Sequence, residues 1–524
     1  MLIALNAVLG LLVMLFPDGK RQITEAFSVQ FVSASDLFDE RNRVVVDLDT
    51  VLGDVDLSDT LVEEVVVKDT SFEEPELHKQ IQFASNEASS LSQFFKALSE
   101  VENGSETLIR ILHYGDSQLE GDRISDYLRN KMQNRFGGYG PGIVLPIDVS
   151  RARVSVRQSE SKDWKKYAIY TRKKLDGGHY GIGGSSYKYT GKFAVKIGED
   201  TLIQKAYDSL VVKQIKEKIE PVDSVKVDST QYRITEIQVP LDSNAFSWDT
   251  VYKPIYESRD AAYSWLRYRC ATRSYARVRT FNKVSLLYSS TDTSEVVVSV
   301  DGVDYKHTLL PKPYASKKLL HSGSVGSEVM LKFTGVSPTV LGVFLDGERG
   351  VAVDNFPMRG SSGTGYSTIN QTVYRNQLSQ SNARLIVMQY GINVVPNPVK
   401  NYDFYERMFA AQLKAIKKAR PEVDILVIGP SDMSRKVAGE YVSYPNIVKI
   451  RDAMKKAAFD NGCAFWDLYS VMGGENSMVG WVNNKPALAS KDYTHFNSRG
   501  ARYIGEMLYN ALMTEYVKWK SESN

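Results

Sequence analysis

The chain has 524 residues, of which 43% are hydrophobic and 24% are charged, and its formal net charge is +3 at pH 7. That length predicts roughly two to four domains at about 150 residues each, and the apolar content is sufficient for substantial cores. The small net charge gives no case for nucleic acid as the main partner, because nucleic-acid-binding domains carry a strong excess of Lys and Arg.

An apolar run at residues 2–16 comes first. It is shorter than the about 20 residues of a membrane span and suits the core of a signal peptide by length, yet no basic segment precedes it and no clear cleavage site follows. We therefore assign residues 1–20 to a signal peptide or a membrane anchor, with a buried N-terminal helix as the alternative. Export by either route predicts an extracytoplasmic, periplasmic location, although the basic pair Lys20–Arg21 opposes that orientation under the positive-inside rule.

An acidic segment follows, in which Asp and Glu dominate residues 36–76. A run of like charge is usually a solvated or disordered segment. We predict that residues 21–84 form an acidic tether between the N-terminal run and the body.

The first strand of the body is predicted to lead directly into a serine. Residues 109–114 form an apolar run typical of a buried strand, and the sequence GDSQ with Ser117 follows it. The run lies between two predicted helices, residues 87–101 and 122–136, each with apolar residues on one face. A serine hydroxyl is a weak nucleophile until a base takes its proton, so Ser117 is a candidate only if the fold brings a base to it.

Residues 150–345 have a different texture, rich in tyrosine and in alternating β-branched residues. The pair Asp301–Gly302 between two alternating runs predicts a hairpin. We expect an inserted β-sandwich of jelly-roll type, at a loop position that tolerates an insertion. Residues 205–265 are more charged and less periodic, and they receive no assignment.

The last third of the chain alternates strands with helices of ten or more residues, which is typical of a parallel α/β sheet. The predicted strands are 383–389, 425–428 and 464–468, and the predicted helices are 403–419, 447–459 and 498–519. Such a sheet brings the carboxyl ends of its strands to one edge, where α/β proteins bind ligands.

Three further segments place suitable residues at that edge. Asn393 follows the strand that ends near residue 389, and Asp492 and His495 stand just before the closing helix. Gly360 and Gly363 follow a strand-like stretch, and glycine lets a backbone N–H approach a ligand closely. Together with the serine, these segments supply a nucleophile, a base with its orienting carboxylate, and donors for an oxyanion.

The order GDS, glycine turn, GxN and DxxH resembles the SGNH (GDSL) hydrolase family, over residues 105–148 and 345–515. The resemblance implies a flavodoxin-like three-layer α/β sandwich with a parallel sheet. We therefore divide the body into a first SGNH part at residues 85–149, the inserted β-sandwich domain at 150–345 and a second SGNH part at 346–520.

Carried over position by position, Ser117 matches the family's nucleophile, His495 its base and Asp492 the carboxylate that orients the base. His495 would take the proton from Ser117, which attacks an ester carbonyl. The oxyanion hole implied by the resemblance consists of the backbone N–H groups of Ser117 and Gly363 and the side-chain amide of Asn393.

The chain departs from the family pattern at two positions. Gln118 follows the serine where the family often has leucine or histidine, and Val394 stands where the GxND block has aspartate. Neither departure removes a catalytic atom. Gly360 competes with Gly363 for the oxyanion position, and Asp116 is expected to fix the turn rather than to catalyse. No metal or other cofactor is implied, because the cysteines and histidines show no ligand spacing.

An SGNH domain with an inserted β-sandwich resembles bacterial polysaccharide and peptidoglycan O-acetylesterases, in which the insert resembles a carbohydrate-binding module. The resemblance implies a serine esterase that removes O-acetyl groups from an acetylated extracytoplasmic glycan. Aromatic residues of the insert are candidates for stacking on sugars, although most tyrosines of a β-sandwich belong to its core or surface. These candidates are Trp164, Tyr180, Tyr187 and Tyr189.

Two alternatives stay open. The first is an O-acetyltransferase with the same residues, because no motif separates water from a sugar hydroxyl as the acceptor. A short membrane segment, an acidic tether and an SGNH body also resemble the periplasmic partners of membrane-bound O-acyltransferases. The second alternative is a non-catalytic glycan-binding protein, against which the intact Ser117, Asn393, Asp492 and His495 argue.

Overall fold

The computed structural model describes residues 20–24, 27–30, 72–84, 89–148, 153–171, 175–206, 210–218, 232–240 and 247–523. The N-terminal apolar run and most of the acidic tether lie outside the described residues, so the assignments made for them stay predictions. Within the described ranges, no helix combines the length and the apolar character needed to cross a membrane.

The helices of the described residues have apolar faces that are buried, as Phe94, Phe95 and Leu98 are in the first of them. In chain order they are α1 (Ser92–Glu102), α2 (Arg123–Phe136), α3 (Gln371–Gln380), α4 (Asp403–Ala419), α5 (Ile447–Phe459), α6 (Leu468–Val471), α7 (Ser477–Asn483) and α8 (Ser498–Ser523). Helices α1, α2, α4, α5 and α8 lie close to the ranges predicted from the sequence, because each carries apolar residues at helical spacing.

The strands of the described residues fall into a parallel and several antiparallel groups. Those before residue 200 begin with β1 (Lys20–Thr24), β2 (Phe27–Gln30), β3 (Leu108–Gly115), β4 (Gly142–Val144), β5 (Val156–Glu160), β6 (Trp164–Ala168), β7 (Ser185–Tyr189) and β8 (Lys192–Ala206). The next are β9 (Leu210–Lys218), β10 (Tyr232–Pro240), β11 (Ser247–Asp260), β12 (Ser264–Cys270), β13 (Phe281–Ser290), β14 (Ser294–Val300), β15 (Val303–Leu309) and β16 (Lys312–Gly326). The last are β17 (Glu328–Gly335), β18 (Thr339–Asp346), β19 (Gly350–Pro357), β20 (Ala383–Gln389), β21 (Asp424–Ile428), β22 (Ser434–Val437), β23 (Glu440–Ser443) and β24 (Ala464–Trp466).

The parallel sheet has the strand order β19–β3–β20–β21–β24, and all neighbouring pairs run parallel. Its strands are almost continuously apolar because helices cover both faces. Successive residues of a strand point to opposite faces, so Ile111 belongs to the core beneath α1, α2 and α8, and Leu112 to the core beneath α3, α4 and α5. This three-layer α/β sandwich confirms the predicted fold class.

The central strand β3 lies between β19 and β20, which both follow it in the chain. The strand order therefore reverses at β3, and the crevice at such a reversal is the usual ligand site of an α/β sheet. Ser117 lies two residues beyond the end of β3, at the carboxyl edge.

Two antiparallel sheets form a β-sandwich, with strand orders β15–β14–β17–β12–β5 and β16–β13–β18–β7–β6, and β4 pairs with β18. Val296 and Val298 on β14 alternate with less buried residues and lie in the core of the sandwich. Asp301 and Gly302, with φ angles of +44° and +89°, connect β14 to β15 in the left-handed region that a tight hairpin needs. The β-rich addition that the sequence predicts is therefore present, and its first strand begins at Gly142.

A buried ion cluster joins this sandwich to the parallel sheet. Arg110 on β3 donates from Nη1 to both carboxylate oxygens of Asp354 at 3.0 and 3.1 Å, and it also contacts Asp346 on β18. The backbone N–H of Ile143 on β4 donates to the same Asp354 at 2.6 Å. Because a buried charge is tolerated only when it is paired, this cluster fixes the sandwich against the end of the sheet that carries Arg110.

The contacts divide the chain into two compact units. One comprises Met1–Tyr189 and Tyr263–Asn524 and contains the parallel sheet and the sandwich. The other is Thr190–Ala262, and it contains two antiparallel pairs, β8 with β11 and β9 with β10. This second unit includes most of residues 205–265, which received no assignment from the sequence. The domain boundaries at residues 84, 149 and 345 stay predictions.

Candidate active site

Gly115 and Asp116 shape the tight turn that carries Ser117. A side chain at Gly115 would come within 2.8 Å of the Gln389 carbonyl oxygen, so glycine lets β3 end against β20. Asp116 then caps the short 3-10 helix Ser117–Asp122, with its Oδ1 accepting the N–H of Gln118 at 3.0 Å. The serine side chain is thereby presented at the strand end, half-buried.

The DxxH loop before α8 brings a base and a carboxylate to that serine. Ser117 Oγ lies 2.8 Å from His495 Nε2, and His495 Nδ1 lies 2.7 Å from Asp492 Oδ2. Asp492 Oδ1 also accepts the backbone N–H groups of Thr494 at 3.0 Å and His495 at 3.1 Å. These contacts fix the imidazole so that Nδ1 faces the carboxylate and Nε2 faces the serine hydroxyl, which is the arrangement of a nucleophilic triad.

The electrostatics keep the carboxylate ionised. Partial burial alone would raise the pKa of Asp492, but the hydrogen bonds from the His495 side chain and from the two backbone N–H groups outweigh it, so the pKa lies below its ordinary value. A carboxylate that stays charged stabilises the imidazolium that forms when the base takes a proton.

The side chains of Gln118 and Arg123 connect the serine turn to the histidine loop. The sequence did not predict this role. Gln118 Nε2 donates to the Thr494 carbonyl at 2.6 Å, and its Oε1 accepts the Phe496 N–H at 3.4 Å, so it brackets the base from both sides. Arg123 donates to the Phe496 carbonyl at 2.6 Å and to the Ser117 carbonyl at 3.4 Å. The residue that departs from the family pattern after GDS thus makes its own bonds across the site.

Asn393 reaches the site from the end of β20. Its Nδ2 donates to the Ser361 carbonyl at 3.0 Å, and an amide nitrogen carries a second N–H that remains for a substrate oxygen. The Met358 N–H donates to the Gly115 carbonyl at 2.7 Å and so holds the segment that leads to Ser361 against the nucleophile strand. Val394, which replaces the family's aspartate, is partly buried against the core.

The two candidate glycines of the oxyanion hole have different surroundings. Gly363 is buried, its N–H donates to Ser361 Oγ at 3.2 Å, and a side chain there would collide with Tyr390 and Phe409. Its N–H is therefore engaged within the protein. Gly360 is exposed, has a φ of +75° and has no atom within 4 Å of a Cβ position. Gly363 stays the predicted oxyanion residue, with Gly360 as the competitor.

A chain of buried polar groups lies beneath the nucleophile turn. His113 Nε2 is 3.1 Å from Gln389 Oε1, and its Nδ1 is 3.1 Å from Ser125 Oγ. Ser125 donates to Asn355 Oδ1 at 3.0 Å, and Asn355 donates to the Leu119 carbonyl at 3.0 Å. Burial lowers the pKa of His113 to about 4, so this histidine stays neutral and serves the turn rather than proton transfer.

A cleft lies at the residues that follow the same turn. It is lined by Gly121, Asp148, Lys166, Asn355 and Pro357 among others. Its lining comes from both the parallel sheet and the sandwich.

The aromatic residues considered for sugar stacking do not line a surface. Tyr180 and Tyr187 are 1% and 0% exposed, and Trp164 and Tyr189 are 7% exposed each. All four pack in hydrophobic cores. The sugar-stacking interpretation was wrong for these four. Trp164, Tyr187 and Tyr189 lie on strands of the sandwich and pack in its core, whereas Tyr180 packs in the core of the parallel sheet. Among the described residues no group of three metal-binding side chains comes together.

Comparison with known protein families matches part of the chain. Residues 332–503 match the model of the GDSL-like Lipase/Acylhydrolase family, a range that contains Asn393, Asp492 and His495 but not Ser117. The placement of the serine therefore rests on its contacts. No curated protein matches the sequence.

Solved structures are similar to this chain to different extents. A peptidoglycan O-acetylesterase is similar over 82% of this chain and 98% of that chain, with a TM-score of 0.56 and 19% identity. A family two carbohydrate esterase from Clostridium thermocellum covers 49% of this chain and 93% of its own, with a TM-score of 0.22 and 9% identity. An acetyl xylan esterase, AlAXEase, covers 31% of this chain and 81% of its own, with a TM-score of 0.23 and 16% identity. Residues 332–503 thus match a GDSL-like lipase/acylhydrolase (SGNH) domain, and the first of these structures shares its fold with most of this chain. The family match and the shared fold together support a hydrolase that acts on ester bonds.

Proposed function

We propose that the protein is a serine esterase that removes O-acetyl groups from a glycan through an acetyl-enzyme on Ser117. The observation that carries the proposal is the pair of contacts at His495, 2.8 Å to Ser117 Oγ and 2.7 Å to Asp492 Oδ2. A glycan-binding protein has no need of a nucleophile, a base and an orienting carboxylate in hydrogen-bond contact.

The first half of the reaction forms the acetyl-enzyme. His495 Nε2 takes the proton of Ser117 as its oxygen attacks the acetyl carbonyl, and Asp492 stabilises the imidazolium. The oxyanion is held by the N–H groups of Ser117 and Gly363, with Gly360 as the competitor of Gly363, and by the second N–H of the Asn393 amide. When the intermediate collapses, the C–O bond to the sugar breaks and His495 gives its proton to the departing sugar oxygen.

The second half releases acetate. A water molecule loses a proton to His495 and attacks the acetyl-serine carbonyl, and the same donors hold the second oxyanion. The C–O bond to Ser117 then breaks, the serine oxygen recovers a proton from His495, and acetate leaves. A sugar hydroxyl in the place of water would make the same chemistry an acetyl transfer.

An O-acetylated glycan is the proposed substrate class. The support is the shared fold with a peptidoglycan O-acetylesterase over most of both chains. O-acetylated peptidoglycan is therefore the first substrate to test, with acetylated xylan as the second.

The proposed location is extracytoplasmic, in the periplasm, with residues 1–20 acting as signal or membrane anchor and a membrane acyltransferase as a candidate partner. The support is the apolar run at residues 2–16. Cell fractionation of the full chain, tagged at the C-terminus, tests this proposal. Protein found in the cytoplasmic fraction alone would contradict it.

The function is tested by following free acetate and acetylated sugar together. The purified protein is given O-acetylated peptidoglycan, then an aryl acetate with added unacetylated glycan, with Ser117→Ala as the control. Acetate release lost in the variant supports the esterase. Acetyl groups that appear on the added glycan with little free acetate would replace it by the transferase. Turnover that does not depend on Ser117 would contradict both.

A further inference from the structure

The β22–β23 hairpin, residues 434–443, packs directly on the loop that carries the acid and the base. The Ser434 N–H donates to the Tyr493 carbonyl at 3.0 Å. The ring of Tyr441 stacks on the ring of Tyr493 with centroids 3.5 Å apart and planes 10° from parallel. Tyr493 stands between Asp492 and His495 in the DxxH motif, so the stacked pair is immediately beside the catalytic base.

The base of the hairpin is firmly held. Ser443 Oγ donates to the buried Asp432 at 2.6 Å, the Ser443 N–H donates to Asn476 Oδ1 at 3.0 Å, and the Asn476 N–H donates back to Ser443 Oγ at 2.7 Å. The hairpin turns through Ala438 and Gly439, with φ angles of +48° and +95°, which is the tight two-residue connection. A hairpin anchored at its base and turned tightly presents its side chains in a fixed geometry.

The outer part of the hairpin carries two exposed side chains with apolar surface. Tyr441 is 37% exposed and Val437 is 45% exposed. Arg435 and Lys436 on the same hairpin are also exposed. Tyr493 covers one face of the Tyr441 ring, and exposure of the rest leaves an aromatic surface directed at solvent. An exposed aromatic ring next to the loop of the catalytic base can bind a substrate that has an apolar ring face.

We propose that the exposed face of Tyr441, supported by Tyr493, stacks on a sugar ring of the glycan whose acetyl group lies at Ser117, so that the β22–β23 hairpin is a substrate-binding subsite. The C–H face of a pyranose is apolar and packs on an aromatic ring, while its hydroxyl groups stay in water. The inference rests on the proposed function, because it needs a glycan at the triad. It gives the chain a sugar contact outside the sandwich, where the four aromatic residues first considered are buried.

The test compares a substrate with a sugar and one without. We would measure kcat and KM of Tyr441→Ala and Tyr441→Phe on O-acetylated peptidoglycan, acetylated xylan and 4-nitrophenyl acetate, with Tyr314→Ala, an exposed tyrosine of β16, as the matched control. For Tyr441→Ala the ratio of glycan to aryl ester kcat/KM falls about three- to tenfold, the range expected for one aromatic contact. The loss appears mainly in KM, and Tyr441→Phe and the control keep the ratio.

Three results would overturn the inference. Equal losses on all esters would mean that Tyr441 only positions the DxxH loop, and no loss would mean that the ring contacts nothing. If the wild type cleaves the aryl ester but neither glycan, the substrate has no sugar ring for Tyr441 to contact, and the inference fails. Failure of the proposed function looks different, because then no ester is turned over in a Ser117-dependent way.

Discussion

The two sides of the triad are held in different ways. On the nucleophile side, the buried side chains of Asp116 and Asn355 bond directly to the turn. The buried His113 is linked to it through Ser125 and Asn355. On the other side, the side chains of His495 and Asp492 are 31% and 50% exposed and belong to a surface loop. Burial alone therefore cannot align the base. Alignment depends on the bonds that cross between the two sides and on the loop's own short contacts.

We expect the largest loss of activity when the charge of Asp492, on the exposed side of the triad, is removed. Asp492→Asn keeps the size of the side chain but disfavours the imidazole tautomer that accepts the serine proton, so kcat falls by about 10⁴. Stability changes little, because the carboxylate is half-exposed. Acetate release at saturating substrate and a thermal melt check both parts. Asp460→Asn, an exposed carboxylate on the C-terminal cap of α5, is the control, and equal rates in the two variants would contradict the role of Asp492.

The oxyanion donor contributed from β20 comes next. Asn393→Ala removes an N–H that acts on the transition state, so kcat falls about 10²–10³ while KM changes much less. Asn397→Ala, an exposed asparagine in the following turn, keeps wild-type kinetics. A loss confined to KM would show that Asn393 binds the substrate equally in ground and transition states.

The crossing bonds themselves are tested at Gln118. Gln118→Ala frees the Thr494 carbonyl and the Phe496 N–H, and a displacement of the base by about 1 Å is enough to reduce kcat about 10- to 100-fold with little change in KM. Gln377→Ala is the matched control, since Gln377 is also buried and donates to a carbonyl, that of Tyr180 at 2.8 Å. The account predicts similar losses of stability in both variants but a loss of kcat in Gln118→Ala alone.

The smallest expected effect is a pH dependence of folding stability that comes from Asp116, on the buried side of the triad. Burial raises the pKa of Asp116 to about 7, above the about 3.9 of an unfolded chain, so folding takes up a proton between these pH values. The stability that the protonated group contributes is complete below about pH 3.9 and is lost as pH rises through about 7. Asp116→Asn, which can still accept the Gln118 N–H, lacks this fall. Urea unfolding across that range, as the difference between wild type and variant, measures it, and parallel profiles would contradict the buried carboxyl.

Much of the fold could be predicted because the local pattern and the tertiary structure agree. The strand at residues 383–389 and the helices at 403–419 and 447–459 lie where their periodicity indicates. The strand expected at 464–468 ends at Trp466, because Asp467 caps α6 by accepting the Ser470 N–H at 3.1 Å. A capping aspartate inside an apolar run was the signal that the sequence interpretation missed.

The site could be predicted only in part. Ser117, Asp492 and His495 could be found because each lies next to a periodic element within a recurring short motif. Gln118 and Arg123 could not, because their partners lie more than 370 residues away in the chain and no local pattern records such a bond. The choice between Gly360 and Gly363 stays a prediction, because the position of a bound oxyanion decides it.

The most direct test of the central claim is to trap the acetyl-enzyme. The protein is mixed with 4-nitrophenyl acetate, quenched in acid before a full turnover, digested and analysed by mass spectrometry. The account predicts one acetyl group on the peptide that contains Ser117, more of it in a variant with slowed deacylation, and none in Ser117→Ala. An acetyl group on another residue, or rapid acetate release by Ser117→Ala, would contradict the account.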